Sequence, residues 1–117
     1  MTQHREPGLE WAVDRHDRST VVHLVGEIDI GTVQTLEEAV RAGMGSVAPV
    51  VILDLADVTF LGSIGLRVLV MAHNEATTAG RTLRVVDGSP IVHRVLQISG
   101  LSQLLALYPT VDDAEGV

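Results

Sequence analysis

"TFLGSIGLRVLV", Thr59 to Val70, sets a small patch of Gly62, Ser63, Ile64 and Gly65 into an otherwise unbroken apolar run. Downstream of it Leu66, Leu69, Val70 and His73 share one face at helical spacing, so the patch reads as a helix start with Ser63 as N-cap. Gly80 is suited to stop that helix. As a cap, Ser63 leaves the amides of Ile64, Gly65 and Leu66 without helical partners, which gives this end free donors and partial positive charge. A glycine in the first turn costs about 1 kcal/mol relative to alanine, so Gly65 points to close approach by a neighbouring loop or a partner. Ile64 stands where the chain turns towards solvent; it fits either a core position or a contact with another protein.

Working outward, "VVILDL", Val50 to Leu55, is apolar through its first four residues, as expected of a central strand covered on both faces, and "ADVTFLG" reads as the loop after it. Leu9, Trp11 and Val13 alternate with polar residues, Arg15 to Arg18 form a polar turn, and "STVVHLVGEI" is rich in β-branched residues, so this region reads as a β-hairpin. Gly26 to Gly31 breaks the pattern. Val33, Leu36, Val40 and Met44 then recur at helical spacing, with Thr32 as cap and Gly43, Gly45 and Pro49 as stops. "RTLRVVD" gives a further strand. Ser89 and Pro90 open a third helix running to about Gly100, followed by a short helical piece through Leu107. The acidic end "DDAEGV" is loose or helical. The expected fold is α/β, a mixed β-sheet of four to five strands with about four helices packed on it.

The chain has 117 residues, 46% of them hydrophobic, which suits one compact unit with a single core. Only 3% is aromatic, so the core must be built from Val, Leu, Ile and Ala, and a base-stacking surface is not expected. A formal charge of -7 repels a phosphate backbone, so nucleic acid is not an expected partner. Without cysteine there are no disulfides, thiol nucleophiles or thiolate metal sites. "MTQHREPGLEW" lacks the apolar stretch of a secretory signal and Asp54 interrupts the longest apolar run, so a cytoplasmic protein with no membrane partner is expected. All basic residues are Arg, with no Lys.

Catalytic readings of Ser63 find little support. A nucleophile elbow needs Gly two residues before the serine, where this chain has Leu61. His23, His73 and His93 could in principle complete a triad, but they are scattered singly, and no histidine pair sits at ligand spacing on a helix. A phosphate loop would want a lysine. An anion at the helix start remains open, yet any capped helix offers as much. No catalytic residue, metal or cofactor is expected.

"GEID" (Gly26 to Asp29) at a strand end, "TVQTL" in the helix after it, "LDL" closing a buried strand, Ser63 with Gly65 and Leu66 opening the next helix, and "SP" followed by "ISGL" together resemble the STAS domain, nearest to bacterial anti-sigma factor antagonists. The resemblance runs from about Leu9 to Pro109 and implies one STAS domain over 1–117, with a core at about 9–109 and an acidic tail at 110–117. It implies a non-enzymatic regulator that binds a kinase-type anti-sigma factor and so frees a sigma factor, with phosphorylation breaking the complex. The family's Asp-Ser-Ser/Thr-Gly-Leu motif falls on Gly62 to Leu66: the acceptor position carries Ile64, and the aspartate is replaced by Gly62. Ser63 or Thr59 then substitutes, or the protein binds constitutively, which the engagement of a capping hydroxyl favours. The partner face implied is Asp29, Gly31, Thr59, Gly62, Ser63, Ile64, Gly65 and Leu66, on a monomer or weak homodimer. An accessory subunit of a lipid-transport ABC system, or a stress-signalling scaffold, is the alternative on the same fold. A small hydrolase or nucleotide-binding protein is a third reading, and would need a base near Ser63.

Overall fold

The computed structural model describes residues 2–6 and 8–116, with side chains from residue 8 onward. Among the described residues six strands form one sheet in the order β1-β2-β3-β4-β5-β6: Thr2–Glu6, Leu9–Arg15, Ser19–Ile28, Val50–Leu61, Thr82–Val86 and Ala106–Tyr108. β1, β2 and β3 run antiparallel, while β3 to β6 are parallel, so the sheet is mixed. Among the same residues four α-helices pack on it: α1 (Val33–Met44), α2 (Ser63–Thr78), α3 (Pro90–Ile98) and α4 (Val111–Glu115).

Strand alternation divides the core between two faces. Leu9, Val13, Val22, Leu24, Leu53, Leu55 and Val85 meet α1, α2 and α3 in the main cluster. On the opposite face Val21, Ile52 and Val86 meet Ala114 of α4. Val51, Ile52 and Leu53 are fully buried, which is why β4 opens as a continuous apolar run rather than an alternating one. Burying each such side chain contributes about 1.5–3 kcal/mol.

Several expectations need correction. The mixed α/β sheet with four helices is as expected, but among the described residues it has six strands, because the N-terminal residues add β1 and the short helical piece expected through Leu107 is a 3-10 turn, Leu101–Gln103, followed by strand β6. Three residues on an edge carry too little pattern to be read. The expected loop "ADVTFLG" is mostly strand, since β4 runs to Leu61. Its inward residues Leu55, Val58 and Leu61 are three apart, and register shifts opposite β3 at His23/Val25 and Gly26/Glu27 absorb the extra residues. The bulges hide the strand by breaking its period of two.

The buried face of α2 is Gly65, Val68, Leu69, Ala72 and Ala76, with Leu66, Val70 and His73 only half-buried. Small residues let this helix lie close on the sheet, which a search for large apolar side chains overlooks. The acidic end forms α4, N-capped by Thr110, whose Oγ1 accepts the Asp113 amide at 3.1 Å.

Candidate functional site

Two parallel strands deliver the candidate residues to one end of the sheet. Ile28 of β3 and Leu61 of β4 are in register, and the amide of Gly62 donates to the carbonyl of Ile28 at 2.9 Å. Each chain then turns into a helix, β3 through Asp29–Thr32 into α1 and β4 through Gly62 into α2. C-terminal ends of parallel strands are where ligand and partner sites gather in open α/β sheets.

The first turn is fixed by its own polar atoms. Asp29 Oδ1 accepts the Gly31 amide at 2.9 Å, and the Asp29 carbonyl accepts the Thr32 amide at 3.1 Å. Thr32 occupies the N-cap position of α1 without capping it. Its Oγ1 accepts the Asp29 amide at 3.0 Å and donates to the Glu27 carbonyl at 2.8 Å. Between Asp29 and Gly31 the turn leaves Ile30 85% exposed. An isoleucine is presented to solvent on a rigid support.

The second turn revises the role of Ser63. Gly62 is the N-cap of α2 and Ser63 its first helical residue, so the capping role expected of Ser63 is incorrect. The Gly62 carbonyl accepts the amides of Gly65 at 3.0 Å and Leu66 at 3.3 Å, so these are not the free donors expected for an anion. The Ser63 hydroxyl is exposed and has no hydrogen-bond partner among the described residues. Ile64 and Leu66 are half-buried, and Gly65 is buried. A Cβ at Gly65 would lie 2.5 Å from Ile28 Cγ2 and 2.8 Å from Leu61 Cδ1, so it is this chain's own strands that need the glycine.

Thr59 lies in the bulged part of β4, exposed, with Oγ1 donating to the Gly26 carbonyl at 3.3 Å. Gly26 has φ +126°, and a Cβ there would fall 2.2 Å from the Gly8 carbonyl oxygen, whose acceptor role for the Glu27 amide at 2.7 Å pins the start of β2 to this end of the sheet. Phe60, 45% exposed, packs its ring near Gly62, 3.3 Å from where a Cβ would stand. The structure therefore gathers Asp29, Gly31, Thr59, Gly62, Ser63, Ile64, Gly65 and Leu66 at one end of the sheet, and adds Ile30 and Phe60. Sequence reading missed both, although an isoleucine between Asp29 and Gly31 in a turn was a signal of apolar exposure.

The histidines serve elsewhere. Nδ1 of His16, His23 and His93 lies 2.7, 2.8 and 2.7 Å from Glu115, Asp54 and Asp87 respectively. Among the described residues no imidazole is hydrogen-bonded to a serine, and no group of three or more His, Asp or Glu could hold a metal ion. A cleft of about 490 Å3 lies at the ends of β5 and β6, lined by Asp87, Ser89, His93, Leu107 and Tyr108. Among the described residues no helix is long and apolar enough to cross a membrane.

The chain is similar to known proteins over most of its length. The family model of the STAS domain matches residues 10–114. The anti-sigma-F factor antagonist RsfB of Mycobacterium tuberculosis is 32% identical over 99 residues, spanning 85% of this chain and 80% of that protein. An anti-sigma F factor antagonist of Paenibacillus polymyxa is 28% identical over 104 residues, with 86% of each chain covered. The crystal structure of an anti-sigma factor antagonist from Mycobacterium paratuberculosis superposes with a TM-score of 0.85 at 35% identity over 92% of each chain. Family model, relatives and fold agree: the chain belongs to the STAS domain family, among relatives that are anti-sigma factor antagonists.

Proposed function

We propose that this protein is an anti-sigma factor antagonist that binds a kinase-type anti-sigma factor in the cytoplasm and so releases a sigma factor, with no catalytic step of its own. The observation that carries this reading is the end of the sheet where exposed Ile30 and exposed Ser63 follow the paired strand ends Ile28 and Leu61. An apolar anchor on a preorganised turn suits a protein interface, because little freedom is lost on binding.

The switch is assigned to Ser63. Ile64 has no hydroxyl, Thr59 Oγ1 is engaged with Gly26, and the engagement that counted against Ser63 disappears with its capping role. A phosphate there would add about -1.5 to -2 charges next to Ile64 and at the same strand ends as Ile30, where a partner must bury surface. After incubation with the kinase-type anti-sigma factor and ATP, the intact protein should gain one phosphate, and Ser63→Ala should gain none. A phosphate retained in Ser63→Ala, or none on the native chain, contradicts the assignment.

A further inference from the structure

The face of the sheet opposite α1, α2 and α3 is covered over only part of its length. α4 lies on Val21, Ile52 and Val86, towards the starts of the parallel strands. Beyond it, towards the strand ends, no described element covers β2, β3 and β4. Val25 is 46% exposed and Phe60 45% exposed there, with Ala12 of β2 half-buried beside them, since Ala12 pairs with His23. Two large apolar side chains on an otherwise open sheet face form a patch rather than isolated exposures.

Charge narrows what could cover this patch. The ionisable side chains described around it are Glu10 on β2, His23 and Glu27 on β3, and Asp54 and Asp57 on β4. Four are carboxylates; the imidazole is tied to one of them at 2.8 Å, and Arg5 of β1 stands opposite Glu10 in the register, which leaves the frame with an acidic excess. Arg84, the cation of β5 on the same face, is committed elsewhere: its guanidinium bonds the Ala114 carbonyl and lies 5.5 Å from the Tyr108 ring centroid. An acidic frame repels a second copy of this face, a nucleic acid and an anionic lipid surface alike, and attracts a cationic partner.

We propose that the uncovered half of this sheet face docks a cationic amphipathic helix of a partner protein. α4 shows how a helix rests on this face, and a docked helix would extend that layer over Ala12, Val25 and Phe60, its Arg or Lys residues meeting Glu10, Glu27 and Asp57. This surface shares Phe60 with the site at the strand ends but leaves out the anchor at Ile30, and it does not depend on the anti-sigma reading.

The test uses the full isotope-labelled chain and a synthetic 16-residue helical peptide with Leu on one face and Arg on the other. Saturable shifts of the Ala12, Val25, Asp57 and Phe60 amides are expected. Affinity should fall about tenfold or more in the double variant Glu27→Lys, Asp57→Lys, whose replaced side chains are both exposed, and should fall as salt rises. Ile30→Asp should leave this binding unchanged, which separates it from the anti-sigma face. No binding, equal binding by a twin peptide with Glu for Arg, or shifts centred on the acidic positions of α1 or α4 would overturn the proposal.

Discussion

Gly65 sets two effects against each other, and the structure decides between them. Replacing it with alanine should gain about 1 kcal/mol of helix propensity, but the new Cβ would stand 2.5 Å from Ile28 Cγ2 and 2.8 Å from Leu61 Cδ1. Overpacking of that kind costs about 1–3 kcal/mol, so Gly65→Ala should melt several degrees lower than the native chain. A higher melting temperature would show that the contact relaxes freely. Ser63 gives the complementary case. Loss of a capping hydroxyl costs about 1 kcal/mol, whereas an exposed first-turn serine that caps nothing should change stability by less than about 0.5 kcal/mol in Ser63→Ala. Denaturant midpoints distinguish the two, and a loss near 1 kcal/mol would restore the capping role. The sequence pointed to the right helix start and the wrong cap, because Gly62 and Ser63 both suit the position and only backbone geometry separates them.

At the scale of the element, α4 is held against the β2–β3 turn by charge as well as by Ala114. Glu115 Oε2 accepts from Ser19 Oγ at 2.6 Å and lies 2.7 Å from His16 Nδ1, while His16 Nε2 is 3.3 Å from Asp14. Hydrogen bonding to Glu115, then to Asp14, raises the His16 pKa. The Ser19 hydroxyl, then His16, lowers that of Glu115. A raised histidine contributes stability that is complete below its unfolded value of about 6.5 and is lost as pH rises through the folded value. A lowered glutamate contributes above its unfolded value of about 4.3 and loses this as pH falls through the folded value. Docking of α4 should therefore be firmest between roughly pH 4.5 and 6.5, by a small margin because His16 is exposed and the pair is screened. In an NMR titration His16 should show a midpoint above the ordinary histidine value, and Glu115→Gln should bring it down; an unchanged midpoint would show that Glu115 does not hold the imidazole. None of this was legible in sequence, where His16 and Glu115 lie 99 positions apart.

Over the whole molecule, the layers were legible and the outer surfaces were not. The hairpin and α1 carry a clear period, Val50–Leu53 is an unbroken apolar run, and the other helices are marked by their starts at Ser63 and at Ser89–Pro90, so the α/β order could be read directly. The far half of β4 could not, because its bulges space Leu55, Val58 and Leu61 three apart, and β6 is only three residues long. Of the candidate site, the helix start and Asp29 were visible through their glycines and polar atoms. Ile30 and Phe60 became significant only once two strand ends 33 positions apart, Ile28 and Leu61, were seen side by side.

The most direct test of the binding face is a calorimetric titration of kinase-type anti-sigma proteins from the source organism into three chains: native, Ile30→Asp and Ile98→Asp. Ile30 is 85% exposed at the strand ends and Ile98 is 76% exposed on α3, so both substitutions should leave the fold intact. The native chain should bind one of these proteins saturably, Ile30→Asp should weaken that binding about tenfold or more, and Ile98→Asp should bind as the native chain does. Native affinity in Ile30→Asp, or no binding by the native chain to any of them, would contradict the account.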